Sequence, residues 1–100
     1  MAAGLILKFE QTSRDVYDAV NARLGIDMKS GTGDWPAGLL THAAGTGADG
    51  SLTVIEVWES RDAQGRFMQE RLGRALAEGG ITVQPQVTWI DLFSYHTPGR

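Results

Sequence analysis

Cysteine is absent from this 100-residue chain. That excludes disulfides, thiolate nucleophiles and cysteine-built zinc or iron–sulfur sites. Long hydrophobic runs are missing too. No stretch approaches the length of a membrane span, and the Leu5-Ile-Leu7 run meets Lys8 too soon to form a signal-peptide core. A cytoplasmic protein with no membrane partner is expected. Basic charge is scarce and scattered: nine Lys and Arg stand against twelve Asp and Glu, for a net charge of -3. Nucleic-acid binding wants clustered positive charge to displace phosphate counterions, so no nucleic-acid partner is expected. Histidine is limited to His42 and His96, far apart and not paired at helical spacing, which gives no metal site. Neither Gly31-x-Gly33 nor Gly45-x-Gly47 lies between a strand and a helix as a phosphate loop would. No serine stands in a nucleophile-elbow motif.

What remains is an ordinary globular composition, 42% hydrophobic and 21% charged, enough for one domain over residues 1–100 and one modest core. Residues 5–10 begin as an apolar run and end in alternation, which predicts a central strand. Thr12 or Ser13 can cap a following helix with Asp15 in its first turn, where a negative charge suits the dipole. Val16, Val20 and Leu24 form one apolar stripe with Tyr17 beside them, and Gly25 ends the helix. Residues 25–37 read as a long connection, mobile or functional, containing Trp35. A small-residue strand over 38–44 and a strand over 51–59 flank the turn Gly45–Gly50, where Asp49-Gly50 is a hairpin signal. Ser60 is the natural N-cap of a second helix whose buried face is Ala63, Phe67, Leu72, Ala75 and Leu76, closed by Gly79-Gly80. A last strand is predicted over 82–95, with Pro85 near its start marking an edge or a bulge. The tail from His96 reads as loose.

The order strand, helix, strand, strand, helix, strand predicts an α+β, ferredoxin-like βαββαβ domain: a four-stranded antiparallel sheet with both helices on one face. The other sheet face would still carry apolar residues, and a second copy is the economical cover, so a homodimer closing into an α/β barrel is expected.

The stretch Gly38-Leu-Leu-Thr-His42, the corner Val57-Trp58-Glu-Ser60 and the helix through Phe67 to Leu76 resemble the dimeric α/β-barrel superfamily that includes the antibiotic-biosynthesis monooxygenases. The likeness is greatest to small, mostly uncharacterised bacterial members with a Gly-Leu-x-x-His strand and a Val-Trp-Glu-Ser corner. It covers most of the chain in element order and residues 36–76 in specific motifs. The resemblance implies the fold and, more loosely, an activity, because the superfamily includes cofactor-free monooxygenases, haem-degrading enzymes, isomerases and cyclases. It also implies that a tryptophan at the corner, here Trp58, lines a pocket between sheet and helices. Two departures stand out. Haem-degrading relatives carry an iron-ligating His on the second helix, whereas residues 60–79 contain none; the Asn that helps several oxygenases has no counterpart on the first strand.

Candidate site residues follow. His42, between Thr41 and two alanines, can act as base or acid near neutral pH, or be a half-buried histidine satisfied by backbone or water. Alternation puts Glu56 on the face of Trp58; beside an indole in a dry pocket it could accept a proton, or it pairs with Lys8 or an arginine at the dimer seam. These two are the catalytic candidates. Trp58, Trp35, Tyr17 and Asp91 are the substrate-binding candidates. Trp58 alternatively plugs the core, Tyr17 belongs to it, and Asp91, on the face of Trp89 and Phe93, forms a structural ion pair.

The expected function is an enzyme acting on a small aromatic or polyketide-like molecule without metal, flavin or nicotinamide, as a monooxygenase, isomerase or cyclase. The alternative is a non-catalytic homodimer that binds a small molecule or serves structure. The enzyme reading predicts an open cavity lined by His42 and Trp58, with either His42 or Glu56 unpaired in the empty state. The alternative predicts both held in fixed hydrogen bonds or interface pairs, with no cavity between sheet and helices.

Overall fold

The computed structural model describes residues 2–81 and 83–99. Strand β1 (Ala3–Phe9) leads to helix α1 (Arg14–Leu24), then two short strands, β2 (Ile26–Asp27) and β3 (Thr32–Gly33). The hairpin β4 (Leu39–Thr46) and β5 (Leu52–Trp58) follows. Helices α2 (Arg61–Phe67) and α3 (Gly73–Glu78) are joined by a π-helical turn over Met68–Leu72, and β6 (Gln86–Asp91) ends the sheet. The four long strands form one antiparallel sheet in the order β4-β5-β1-β6, the ferredoxin-like arrangement.

Local chemistry explains the boundaries. Ser13 accepts the Val16 amide at the start of α1, and Gly25, at a left-handed φ of 78, closes that helix on the carbonyls of Ala22 and Asn21. Ser60 caps α2 in the same way through the Ala63 amide. The hairpin turn closes with the Gly50 amide on the Gly47 carbonyl and the Asp49 carboxylate on the Ser51 amide. Gly38 holds a φ of 91 and sits so close to Ala63 that an added Cβ would lie 2.7 Å from it, so the chain entering β4 packs directly on α2.

Alternation along β1 and β5 sends Ala3, Leu5, Leu7 and Phe9, with Leu52, Val54, Glu56 and Trp58, to the helix-covered face. Leu5 and Trp58 are fully enclosed there, and Val20, Leu24, Ala63, Phe67 and Ala75 close the core from the helices. Burying each large apolar side chain contributes about 1.5–3 kcal/mol, which holds the helix layer on the sheet. On the opposite face Ile55 and Ile90 remain 53% and 42% exposed.

Three expectations are revised. The connection at 25–37 is not featureless: β2 and β3 pair as a small ribbon, Ile26 opposite Gly33, with the Asp27 carboxylate turning the chain by accepting the Lys29 amide. The second helix is interrupted by the π turn. The last strand is shorter than 82–95; Thr82 lies outside the described residues, and pairing with β1 runs only from Gln86 to Asp91 because β1 supplies partners no further than Ala3.

Candidate active site

The hairpin register places His42 directly opposite Glu56. Both point to the helix face, and Glu56 is 7% exposed. His42 Nδ1 lies 2.8 Å from Glu56 Oε2, and the Trp58 indole N–H donates to the other carboxylate oxygen, Oε1, at 2.9 Å. From α1, the Tyr17 hydroxyl reaches His42 Nε2 at 2.6 Å. The four side chains therefore form one hydrogen-bonded chain, Tyr17–His42–Glu56–Trp58.

Donor inventory gives the chain a direction. An indole N–H only donates, so Glu56 accepts at Oε1; as a carboxylate it also accepts at Oε2, which puts a proton on His42 Nδ1. In a neutral imidazole Nε2 is then an acceptor, and the Tyr17 O–H donates to it. The Tyr17 oxygen also lies 3.5 Å from the Met28 sulfur, a much weaker partner than the imidazole. Burial pushes the Tyr17 hydroxyl above its ordinary 10.0, opposed by the side chain of Asn21 and reinforced by the nearby Glu56 charge. The phenol is accordingly a neutral donor at rest.

Trp35 packs its ring on His42 at 5.6 Å between centroids, tilted 55°. Its indole N–H is held by the Gly31 carbonyl, and Arg71, from the π turn, fixes the same segment by donating to the carbonyls of Asp34 and Leu24 at 2.7 and 2.8 Å. The Arg71 guanidinium also lies over the Phe67 ring. An apolar cavity of about 60 Å³ sits beneath, lined by Leu7, Leu24, Ile26 and Phe67 as well as Tyr17, His42 and Glu56. Two open grooves also border His42: one of about 520 Å³ beside Trp35 and Leu40, the other of about 430 Å³ beside Tyr17, Arg14 and Ala44.

Five of the six candidate residues are thus brought together. Asp91 is not. It lies on β6, the edge opposite β4, with its side chain 92% exposed and 3.3 Å from Arg61, which also stacks on Trp89. Trp58 is in contact with Glu56 but is fully enclosed in the core rather than lining the cavity. Glu56 does not pair with Lys8, because Lys8 points to the other sheet face and meets Asp49. Nor is either catalytic candidate unpaired: His42 and Glu56 hold each other, and among the described residues every buried side-chain nitrogen and oxygen has a partner. Sequence reasoning missed Arg71, Asn21 and Met28. Asn21 carried a signal, lying one helical turn from Tyr17, whose carbonyl it caps at 3.0 Å. Among the described residues no group of three or more His, Asp or Glu could hold a metal ion, and no helix is long and apolar enough to cross a membrane.

No protein-family profile and no curated protein matches the sequence. Solved structures do match. Rv0793 from Mycobacterium tuberculosis superposes with a TM-score of 0.65 at 20% identity, over 97% of this chain and 100% of that one. A candidate antibiotic biosynthesis monooxygenase from Chloroflexus aurantiacus gives 0.65 at 19% identity, over 99% and 100%. The ActVA-Orf6 monooxygenase of Streptomyces coelicolor, solved with the ligand nanaomycin D, gives 0.57 at 17% identity, over 97% and 91%. At these identities the likeness is one of architecture, and the chain has the ferredoxin-like fold of the antibiotic-biosynthesis-monooxygenase-like proteins.

Proposed function

We propose that the protein is a small-molecule enzyme that removes a proton from a flat, largely apolar substrate, of aromatic or polyketide type, with no metal, flavin or nicotinamide. The observation that carries this reading is the directed chain from Trp58 through Glu56 to His42, set beside an apolar cavity. A carboxylate that fixes the tautomer of an imidazole and stabilises the imidazolium is the arrangement that makes a histidine an effective base. Mutual pairing of His42 and Glu56 departs from the unpaired base expected of an enzyme, and the reading holds only if Nε2 serves as the basic position. The fold is shared with the ActVA-Orf6 monooxygenase, which was solved with the ligand nanaomycin D, and this favours a small-molecule ligand here. Proton abstraction is the step common to a monooxygenase, an isomerase and a cyclase of this kind.

The apolar cavity is small. At about 60 Å³ it is well under half of the roughly 150 Å³ that accommodates benzene in an engineered protein core. A tricyclic substrate therefore needs the Trp35 segment to swing away, joining the cavity to the grooves at His42. The same small volume favours the second reading, a non-catalytic dimer in which the polar chain only pins the helix layer to the sheet.

The dimer itself belongs to this proposal. Ile55 and Ile90 are exposed on the uncovered sheet face beside Val57 and Ile6, and a second copy would bury them. Sedimentation of wild type and Ile55→Lys tests this: a dimer converted to monomer is expected, and a wild-type monomer refutes it. The test of function is melting temperature against flat phenols and anthrone-like tricyclics. A ligand at a hundredfold its Kd adds about 2.7 kcal/mol, or roughly 10 °C or more for a domain this size. Oxygen uptake and product analysis on any hit then separate oxygenase from isomerase. No response across the panel would transfer the case to the non-catalytic reading.

A further inference from the structure

We infer that the group meeting the substrate is the Tyr17 hydroxyl, with His42 receiving the proton behind it. This rests on the proton-abstraction reading and sharpens it. Both ring nitrogens of His42 are already engaged: Nδ1 by Glu56 at 2.8 Å and Nε2 by Tyr17 at 2.6 Å. A substrate could use His42 directly only by first displacing Tyr17 from a short hydrogen bond. The Tyr17 oxygen, by contrast, spends its single proton on His42 and keeps acceptor capacity. Tyr17 lines both the apolar cavity and the groove beside Arg14 and Ala44, so it stands where the two spaces would join.

The step balances without a further reactant. The substrate O–H or C–H bond breaks and its proton forms a new O–H bond on Tyr17. The original Tyr17 proton passes to His42 Nε2, the electron pair stays on the substrate as a phenolate or enolate, and the imidazolium rests against the Glu56 carboxylate. Burial disfavours a free Tyr17 phenolate, which favours coupling the two transfers. The new Tyr17 O–H is then the donor closest to the substrate oxyanion. Proton return to another atom by the reverse path completes an isomerisation.

The test uses Tyr17→Phe, which keeps the ring, and 4-nitrophenol, whose colour reports its ionisation, in buffer acidic enough to keep the free probe protonated. Wild type should bind the probe as its anion. Tyr17→Phe should bind it protonated, with the tendency of the bound probe to ionise down about 10²-fold. Equal ionisation by both proteins overturns the inference, since His42 Nε2, uncovered by the substitution, would then be the acceptor. Failure of wild type to bind the probe strikes the ligand class of the preceding section, and the relay is then decided without ligand by ¹⁵N NMR of the two histidines. A neutral His42 protonated on Nδ1 and a slowly exchanging Tyr17 hydroxyl proton uphold it. A His42 protonated on Nε2 overturns it, because the imidazole would be donating to Tyr17 and could take no proton from it.

Discussion

Glu56→Gln should reverse the polarity of the whole polar chain while leaving its shape intact. The carboxylate accepts from Trp58 at 2.9 Å and from His42 at 2.8 Å. An amide offers one accepting oxygen and one NH2 donor, so it cannot receive both. Trp58 can only donate and its indole is locked in the core, so the amide oxygen turns to it. The NH2 then faces His42 Nδ1, which must become an acceptor. The proton moves to Nε2, which now points a donor at the Tyr17 oxygen, and the Tyr17 hydroxyl loses its acceptor. Every heavy atom can stay in place, yet no proton can travel from Tyr17 to His42. In a Ser-His-Asp triad the corresponding amide substitution costs about 10⁴ in kcat through the wrong tautomer. A loss of about 10²–10⁴ in any base-dependent turnover is expected here. The fold should survive, because both bonds at position 56 persist in neutral form and only the Tyr17 hydroxyl is left without its acceptor. That costs about 1–3 kcal/mol, or roughly 5–20 °C in Tm. The ¹⁵N shifts of His42 are the decisive assay: Nδ1–H in wild type, Nε2–H in the variant. A His42 that keeps its Nδ1 proton in Glu56→Gln, or a variant that ionises a bound phenol as wild type does, would show that Glu56 does not set the polarity of the chain.

Trp58→Phe retains most of the ring volume but leaves Glu56 Oε1 buried without a donor, so urea denaturation should show a loss of about 1.5–3 kcal/mol; a loss under about 0.5 kcal/mol would mean that the indole N–H does not hold the carboxylate. Arg71→Met keeps an apolar stem beside Phe67 while freeing the carbonyls of Leu24 and Asp34. It should cost about 2 kcal/mol and speed hydrogen exchange of the Trp35 indole N–H, and an unchanged exchange rate would show that the segment is held by other contacts. Lys8 and Asp49 form an exposed pair in which the ammonium and the Ser51 amide hold Asp49 at about 2, below its ordinary 3.8, while Lys8 is raised above 10.5 by the same contact. The Asp49 contribution is fully present above the ordinary carboxylate range and fades as pH falls towards about 2; the Lys8 contribution is present below 10.5 and fades as pH rises past its folded value. The Tm gap between wild type and Asp49→Asn at low salt should therefore shrink on acidification from neutral pH, and a gap constant with pH would remove the ion pair as its cause.

The strands and caps were legible because each rests on a short-range rule. Ser13, Gly25 and Ser60 mark helix ends through hydrogen bonds to residues no more than four positions away. The facing of His42 and Glu56 was also within reach. Once the Gly47–Gly50 turn closes the hairpin with Thr46 opposite Leu52, the same antiparallel ladder sets His42 against Glu56. Reading β5 alone showed only that Glu56 shares a face with Trp58 and left Lys8 as a rival partner. The π turn had a signature too: in the stripe Ala63, Phe67, Leu72, Leu76 the middle step is one residue longer than its neighbours, and an extra residue in the turn keeps all four on the core side.

What the chain could not disclose alone is how α1 and the π turn dock on the sheet, since that depends on summed packing across the core rather than on any local spacing. Tyr17, beside the apolar stripe of α1, reads as a pocket or core residue with no partner evident in the sequence. Only the docking of α1 brings its hydroxyl to within 2.6 Å of His42. Arg71, on a helix surface rich in charge, reads as solvated until the docking puts it against the carbonyls of Leu24, at the end of α1, and Asp34, beside Trp35. Tyr17 ties α1 to the His42 end of the polar chain, and Arg71 ties the π turn to the Trp35 segment; these are the contacts the proposed chemistry uses. Tyr17 closes the proton path, and Arg71 sets how readily Trp35 uncovers it. A substitution at Arg71 should thus alter ligand entry without altering the His42 tautomer, whereas one at Glu56 should do the reverse. That opposition separates a working site from a polar plug: in a plug both substitutions would change stability alone.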